Sequence, residues 1–464
     1  MTLIKSISGI RGTIGGKQDT GLTPLDIVKY TSAFAAMLLK DDQHPNKKIV
    51  VGRDGRISGQ MVRDLVVASL QAMGVDVIDM GWSTTPSVEM AVKFEHALGG
   101  IILTASHNPK EWNALKLLNK DGEFISAEIG KELLEVGNNA NFEYANINNI
   151  GTVTTKDALH QQHIDAILNH PLVDNVAIKA KNFKVVVDAI NSTGAIYVPM
   201  LLEALGVTAI NVINKDVTGK FAHNPEPLPE HLNDLCSAVV KTNADLGIAV
   251  DPDVDRLCFV NEDGSLFGEE YTLVAVADYV LSQTPGNTVS NMSSTKALKD
   301  VTIKHGGQYY PSAVGEVNVV KKMKEVNAVI GGEGNGGIID PKLHYGRDAL
   351  IGIALFLTHL AKFGKPISSL RATYPNYYIS KNKIELNEKI NVQAIFAAIK
   401  EQYKKHPINT DDGLKIEFEN DWVHLRTSNT EPIIRIYAES NSINTADNIA
   451  KKMILDINEI IKSL

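Results

Sequence analysis

The chain has 464 residues, too many for one hydrophobic core, so several domains are expected. Hydrophobic residues make up 44% and charged residues 22%, and the net charge of -8 supplies no overall basic field, which argues against a nucleic-acid partner. Cys236 and Cys258 are the two cysteines, with no CxxC pair, which argues against a disulfide framework or a zinc site and fits a reducing compartment.

The opening MTLIKSISGIRG lacks the apolar core of a signal peptide. The most apolar helical stretch, residues 349–360, is too short to span a bilayer. A cytoplasmic protein without a membrane partner is expected. KKIVVGRDGR, QMVRDLVVASLQAMG and VDVIDMG then read as strand, helix, strand. FKVVVDAINSTG, AIYVPMLLEALG and VTAINVI repeat the rhythm. A looser third unit runs NTVSNMSS, TKALKDVTIKHGG, QYYPSAVG and NAVIGGEG. Such alternation predicts three similar α/β domains. GLKIEFENDWVHLRTSNTEPIIRIYAES alternates like antiparallel strands, and TADNIAKKMILDINEIIKSL is an amphipathic helix. The expected domains are 1–155, 156–256, 257–373 and an α+β domain over 374–464.

Four loops carry chemistry. TASHNP, residues 104–109, follows the apolar run ALGGIIL. It is either a polar turn or a strand end that exposes the Ser106 hydroxyl. In LGIAVDPDVDRLCFV, extended backbone puts Asp251, Asp253 and Asp255 on one face. Their mutual repulsion calls for a divalent cation, and oxygen-only ligands favour Mg²⁺, Mn²⁺ or Ca²⁺. An EF-hand fails because Arg256 stands where that loop needs glycine. GGEGNGG, residues 331–337, contains G-x-G-x-x-G, but Pro341 stops the helix that a dinucleotide fingerprint would open. A tight loop presenting Glu333 and Asn335 to a small polar ligand is the better reading. RTSNTEPIIR offers Arg426, Ser428, Asn429, Thr430 and Arg435, an inventory suited to a phosphate.

Taken in order, SGIRG, GRDGRISG, TASHNP, DPDVDR, GGEGNGG and RTSNTEP resemble the motifs of the α-D-phosphohexomutase family. The resemblance covers nearly the whole chain. It implies four domains around a central cleft, the first three with mixed sheets, each domain giving one loop. It implies a phosphoserine at Ser106 and a Mg²⁺ site made by Ser106, Asp251, Asp253 and Asp255. It further implies that a phosphorylated hexose is the substrate and that hexose 1,6-bisphosphate is both intermediate and activator. His107 and Lys116 match family positions near the reacting groups, and Arg11 and Arg256 would offset phosphate charge. Glu333 and Asn335 would bind sugar hydroxyls, and Arg426, Ser428, Asn429, Thr430 and Arg435 would clamp the distal phosphate.

Many relatives carry GE-x-S-G-H in the sugar loop, where this chain has Asn335 and Gly337. With no histidine there, Lys116, His107 or His344 is expected to serve as acid and base, with Arg347 adding charge. Arg53 and Arg56 read as a structural ion-pair set, and His223 as a residue at the cleft edge or a domain interface. Glucosamine phosphate ranks first among substrates, ahead of glucose and mannose phosphates. A metal-dependent sugar phosphatase and a non-catalytic sensor are the competing classes. A sensor is disfavoured because Ser106 and all three aspartates are present. A monomer or homodimer is expected.

Overall fold

The computed structural model describes residues 2–6, 9–40, 46–140, 142–386, 390–427 and 433–463. Among them the strands form four sheets. The first sheet has seven strands in the order Ile4–Ser6, Gly9–Thr13, Trp112–Leu118, Gly99–Leu103, Lys48–Arg53, Asp76–Trp82 and Val153–Thr155. Lys48–Arg53 pairs in parallel with both Asp76–Trp82 and Gly99–Leu103, and the sheet turns antiparallel at Trp112–Leu118. Every residue of Gly99–Leu103 is buried, as befits a strand covered on both faces.

The second sheet is ordered Leu257–Asn261, Leu246–Val250, Lys184–Asp188, Ala209–Ile213. The third is ordered Tyr309–Ser312, Asn287–Asn291, Ala328–Glu333, Gly337–Ile339. Both are parallel except for one antiparallel edge strand. The fourth sheet is antiparallel throughout, and the helix Ile443–Ser463 packs on it. The expected division at residue 256 falls inside a hairpin, because Val250 pairs with Leu257. The polar run DPDVDR is the turn between two buried strands.

A shared device positions the site. In each of the first three sheets a parallel strand runs to its carboxyl end, turns, and returns antiparallel. Those hairpins are Gly99–Leu103 with Trp112–Leu118, Leu246–Val250 with Leu257–Asn261, and Ala328–Glu333 with Gly337–Ile339. Their turns carry Ser106, the three aspartates and Asn335 respectively, and Glu333 closes the last strand. Ligands of open α/β sheets bind at this edge.

The second and third units share one apolar core. Its centre is the helix Ala349–Phe363, capped by the Asp348 side chain and ended by Gly364 in the left-handed region at φ 76°. Phe356 stacks on Phe259 at 3.7 Å, which fastens this helix to the second sheet. Among the described residues no helix is long and apolar enough to cross a membrane.

Candidate active site

Ser106 adopts φ 48°, a left-handed conformation that costs a non-glycine residue of order 1 kcal/mol or more. Its surroundings hold it there. Arg56, 1% exposed, donates from Nη2 to the Ser106 carbonyl at 2.5 Å and the Asn108 carbonyl at 2.7 Å. Its Nη1 donates to the carbonyls of Pro109 and Trp112 at 2.7 and 2.9 Å. Asp54 accepts from Arg56 Nε at 3.0 Å and from Thr104 Oγ1 at 2.7 Å. Thr104 Oγ1 in turn accepts the Ser106 N–H at 2.9 Å. Of the expected Arg53 and Arg56 set, Arg56 pairs with Asp54 and its whole fork shapes one loop, whereas Arg53 donates to the Asp54 carbonyl and Gln60.

The aspartate loop meets this serine. Ser106 Oγ donates to Asp251 Oδ2 at 2.6 Å, across 145 positions of sequence. Asp251, Asp253 and Asp255 are all 0% exposed, and their ligand oxygens lie within 4.8 Å of one another. Asp251 Oδ1 accepts the backbone N–H groups of Asp255 and Arg256 at 3.1 and 3.0 Å, which curls the loop. The Pro252 carbonyl accepts from Ser192 Oγ and Thr193 Oγ1 at 2.6 and 3.0 Å, which ties the turn to its own domain.

Burial and the charges of Asp255 and Asp253 push the Asp251 carboxyl well above its usual range. Asp253 goes the other way. Burial opposes its charge, but Lys116 at 2.7 Å and the Thr85 hydroxyl at 2.6 Å hold it below the usual range. Burial likewise opposes the Lys116 ammonium, and Asp253 and Asp255 hold its pKa above the ordinary lysine value. Asp253 Oδ1 and Asp255 Oδ1 are buried with no hydrogen-bond partner among the described residues. Two orphaned carboxylate oxygens beside a third carboxylate and a serine hydroxyl suit a hard divalent cation such as Mg²⁺. Asp251, Asp253, Asp255 and Ser106 would hold it.

His107 Nδ1 lies 3.3 Å from Ser106 Oγ. Burial, then the Arg256 guanidinium, holds this imidazole well below its usual range, so it is neutral at neutral pH. The charges of Arg347 and Arg11 act on it in the same direction. Arg256 donates to Glu226 at 2.7 Å, yet its Nε and that of Arg11 are buried without a partner among the described residues. Buried guanidinium donors left unpaired are ready receptors for an anion.

The glycine-rich loop is a hairpin turn, not the start of a helix. Glu333 Oε1 accepts from Asn291 Nδ2 and the Gly315 N–H at 2.9 and 3.1 Å. Its Oε2 accepts from Arg347 at 2.8 Å. Asn335 Oδ1 accepts the Gly337 N–H at 3.2 Å. Arg347 also bonds Asp255 at 2.7 Å and Glu316 at 2.9 Å, which joins the glycine-rich loop to the aspartate loop. His344 lies elsewhere: its ring nitrogens face Asp348 and Glu89. Geometry therefore favours His107 over His344 beside the serine. His223 pairs with Asp188 at 2.9 Å, within its own domain.

Arg426 and Arg435 are register partners in the last hairpin, and Arg426 Nε lies 3.7 Å from Asp412. Ser428, Asn429 and Thr430 lie outside the described residues. Thr85, Thr104, Asp54 and Glu316 contact the candidate site's side chains or loops and were not singled out from the sequence. Asp54 sits inside GRDGRISG and was open to a motif reading; Thr85 and Glu316 reach the site from helix starts and carry no local signal.

Comparison with known proteins agrees with this architecture. Models of the phosphoglucomutase/phosphomannomutase alpha/beta/alpha domains I, II and III match residues 3–143, 161–264 and 268–377, and that of the C-terminal domain matches 382–455. A Thermococcus kodakarensis phosphoglucomutase/phosphomannomutase is 37% identical over 437 residues, 93% of this chain and 94% of that protein. A Sulfurisphaera tokodaii phosphoglucosamine/phosphogalactosamine mutase is 33% identical, covering 96% of this chain and 97% of its own length. The crystal structure of a Burkholderia thailandensis phosphoglucomutase/phosphomannomutase family protein aligns with TM-score 0.85 and 26% identity over 99% of this chain and 98% of that one. The chain belongs to the phosphoglucomutase/phosphomannomutase family, the α-D-phosphohexomutases. It is an isomerase of the intramolecular phosphotransferase class.

Proposed function

We propose that this enzyme interconverts a hexose 6-phosphate and the matching hexose 1-phosphate through a phosphoserine at Ser106 and a hexose 1,6-bisphosphate intermediate. The observation that carries this reading is the 2.6 Å bond from Ser106 Oγ to Asp251 in a ring of three buried carboxylates. A serine alone is a weak nucleophile and a poor acceptor of phosphoryl groups, so the need for such surroundings is chemical.

In the first half-reaction the phosphoryl group leaves Ser106 Oγ for the free hydroxyl of the sugar monophosphate. The P–Oγ bond breaks as the bond to the sugar oxygen forms, and the sugar hydroxyl gives up its proton. His107, neutral and beside Oγ, is the base that geometry favours for that proton, and the departing Ser106 Oγ takes up a proton to become the serine hydroxyl, so the proton count balances. The bisphosphate then turns around, and its other phosphoryl group returns to Ser106 Oγ with the proton moving back. A divalent cation at the aspartates, Mg²⁺ by the donor set, supplies charge stabilisation for phosphoryl transfer.

Lys116 orients Asp253 and Asp255. Arg11 and Arg256 bring to the phosphate Nε donors that have no partner among the described residues. Glu333 and Asn335 bind sugar hydroxyls. Arg426 and Arg435, with Ser428, Asn429 and Thr430, take the distal phosphate, and such a clamp accepts the phosphate of either end. Hexose 1,6-bisphosphate activates the enzyme by phosphorylating Ser106.

For the sugar we rank glucosamine phosphate first, then glucose and mannose phosphates. Relatives named for phosphoglucosamine and for phosphoglucose or phosphomannose support this short list. The test is a kcat/KM comparison on the three 1-phosphates with Mg²⁺ and catalytic hexose 1,6-bisphosphate. Isomerisation that needs the bisphosphate supports the reading. Release of inorganic phosphate without isomerisation identifies a phosphatase instead.

A further inference from the structure

We propose that Arg347 is the positioning residue that locks the sugar loop to the aspartate loop, and that position 337 is glycine so that Arg347 can reach them. The proposal deepens the mutase reading and uses the same site.

Arg347 spends its guanidinium on carboxylates from three separate elements. Nη1 holds Glu333 at the end of a strand, Nη2 holds Asp255 in the aspartate turn, and Nε holds Glu316 at the start of the helix Glu316–Glu325. The Arg347 backbone N–H also donates to Glu316, at 3.2 Å. A planar fork satisfied along its edges has little freedom to turn, and lysine lacks that geometry.

To get there the side chain passes over Gly337. A Cβ at position 337 would overlap Arg347 Cδ and come within 3.0 Å of Cγ, and it would meet Asn335 Oδ1 at 3.1 Å. Gly337 begins the strand Gly337–Ile339 and pairs with Glu333. It is not among the glycines with positive φ, so its backbone does not itself require glycine. The space taken by Arg347 does.

The segment that bears Arg347 is fixed from behind. Asp348 Oδ2 lies 3.0 Å from His163 Nε2 and 3.2 Å from His344 Nε2, all three buried. At Gly346 a Cβ would overlap Glu89 Oε2. These contacts come from the helices Thr85–Phe94 and Ala158–Leu168, so Arg347 is aimed by parts of the first two units.

One consequence is particular to this arrangement. Arg347 Nη2 holds Asp255 Oδ2, the second oxygen of the carboxylate whose Oδ1 is left for a cation, while Nη1 holds the carboxylate meant for the sugar. A cation at the aspartates and the guanidinium therefore share Asp255, and the sugar loop feels that competition through one side chain. Removing the guanidinium leaves more negative charge for the cation and a less ordered Glu333.

Two measurements that do not depend on turnover test this. First, apparent melting midpoints are compared for Gly337→Ala, Arg347→Ala and the double variant. Gly337→Ala is expected to lower the midpoint by about 3 °C or more when Arg347 is present, and by less than about 1 °C when it is not. Equal losses in the two backgrounds overturn the steric link. Arg347→Ser takes the same place if Arg347→Ala does not fold. Second, Mn²⁺ is titrated calorimetrically into the full chain and into Arg347→Gln. The variant is expected to bind about threefold tighter or more, because a cation beside Asp255 is gone. Unchanged or weaker binding overturns the shared-ligand role. In turnover, Arg347→Gln should raise KM for the sugar phosphate more than it lowers kcat, and Arg347→Lys should recover little of that loss. A fall in kcat alone contradicts positioning of Glu333. Failure of the phosphoserine reading shows separately, as turnover that survives Ser106→Ala.

Discussion

Ser106 Oγ and Asp251 Oδ2 are 2.6 Å apart although 145 residues separate them in the chain. Each sits in the turn of a hairpin at the carboxyl edge of its own sheet. The contact joins a strained serine to a ring of buried carboxylates.

The carboxylate ring should be needed for turnover. Asp253→Ala removes one orphaned oxygen and leaves Lys116 with Asp255 alone. A fall in kcat of about 10²-fold or more is expected, equal to roughly 3 kcal/mol of transition-state stabilisation. Chelation with EDTA should abolish wild-type turnover, and Mg²⁺ should restore it. Steady-state kinetics on the two proteins checks both. Full activity of Asp253→Ala would remove the cation assignment.

Arg56 is expected to act on folding and loop shape, not on protons. Arg56→Lys keeps the charge but cannot serve four carbonyls and Asp54 at once. Breaking this buried set should destabilise the protein by about 3 kcal/mol. Urea unfolding measures the loss, and proteolysis should find new cleavage near residues 104–112. An unchanged unfolding midpoint would contradict the clamp.

Glu270 should give stability a slope with pH. It is half-buried against the glycine-rich loop at Gly334, accepts the Thr295 N–H at 2.9 Å, and desolvation pushes its carboxyl up from 4.5 to about 8. Between those values the folded protein keeps a proton that the unfolded chain releases. Its contribution is therefore complete below about pH 4.5 and is lost as pH rises toward 8. The decline should be on the order of 3 kcal/mol. Glu270→Gln mimics the neutral form and should flatten it. Chemical unfolding at pH 5 and pH 8 on both proteins is the comparison, and parallel profiles would contradict a neutral Glu270.

Much of this architecture was legible in the residues. Apolar runs that end abruptly on Ser106, Asp251 and Glu333 mark strands delivering chemistry to a sheet edge. The alternating aspartates and the absent helix after GGEGNGG were readable because they depend on local backbone periods. The shared hairpin device was less visible, since its turns differ in length and composition. The division placed at 256 falls inside the Leu246–Val250 and Leu257–Asn261 hairpin, because a polar stretch by itself does not tell a turn within a sheet from a boundary between domains. Thr85 and Glu316 were hidden for another reason. Each reaches the site from a helix start far along the chain, and no local pattern records such a contact. The role of Gly337 also needed coordinates, for only the path of Arg347 shows what fills the space.

Ser106 phosphorylation is the most direct test of the mechanism. The wild-type protein and Ser106→Ala are treated with hexose 1,6-bisphosphate and Mg²⁺, desalted, and measured by intact mass, before and after addition of excess hexose 6-phosphate. One phosphoryl group is expected on the wild type, lost when the sugar phosphate is added, and none on Ser106→Ala. A wild-type protein that never carries the group while turning over, or a Ser106→Ala variant that keeps mutase turnover, would contradict phosphoryl transfer through Ser106.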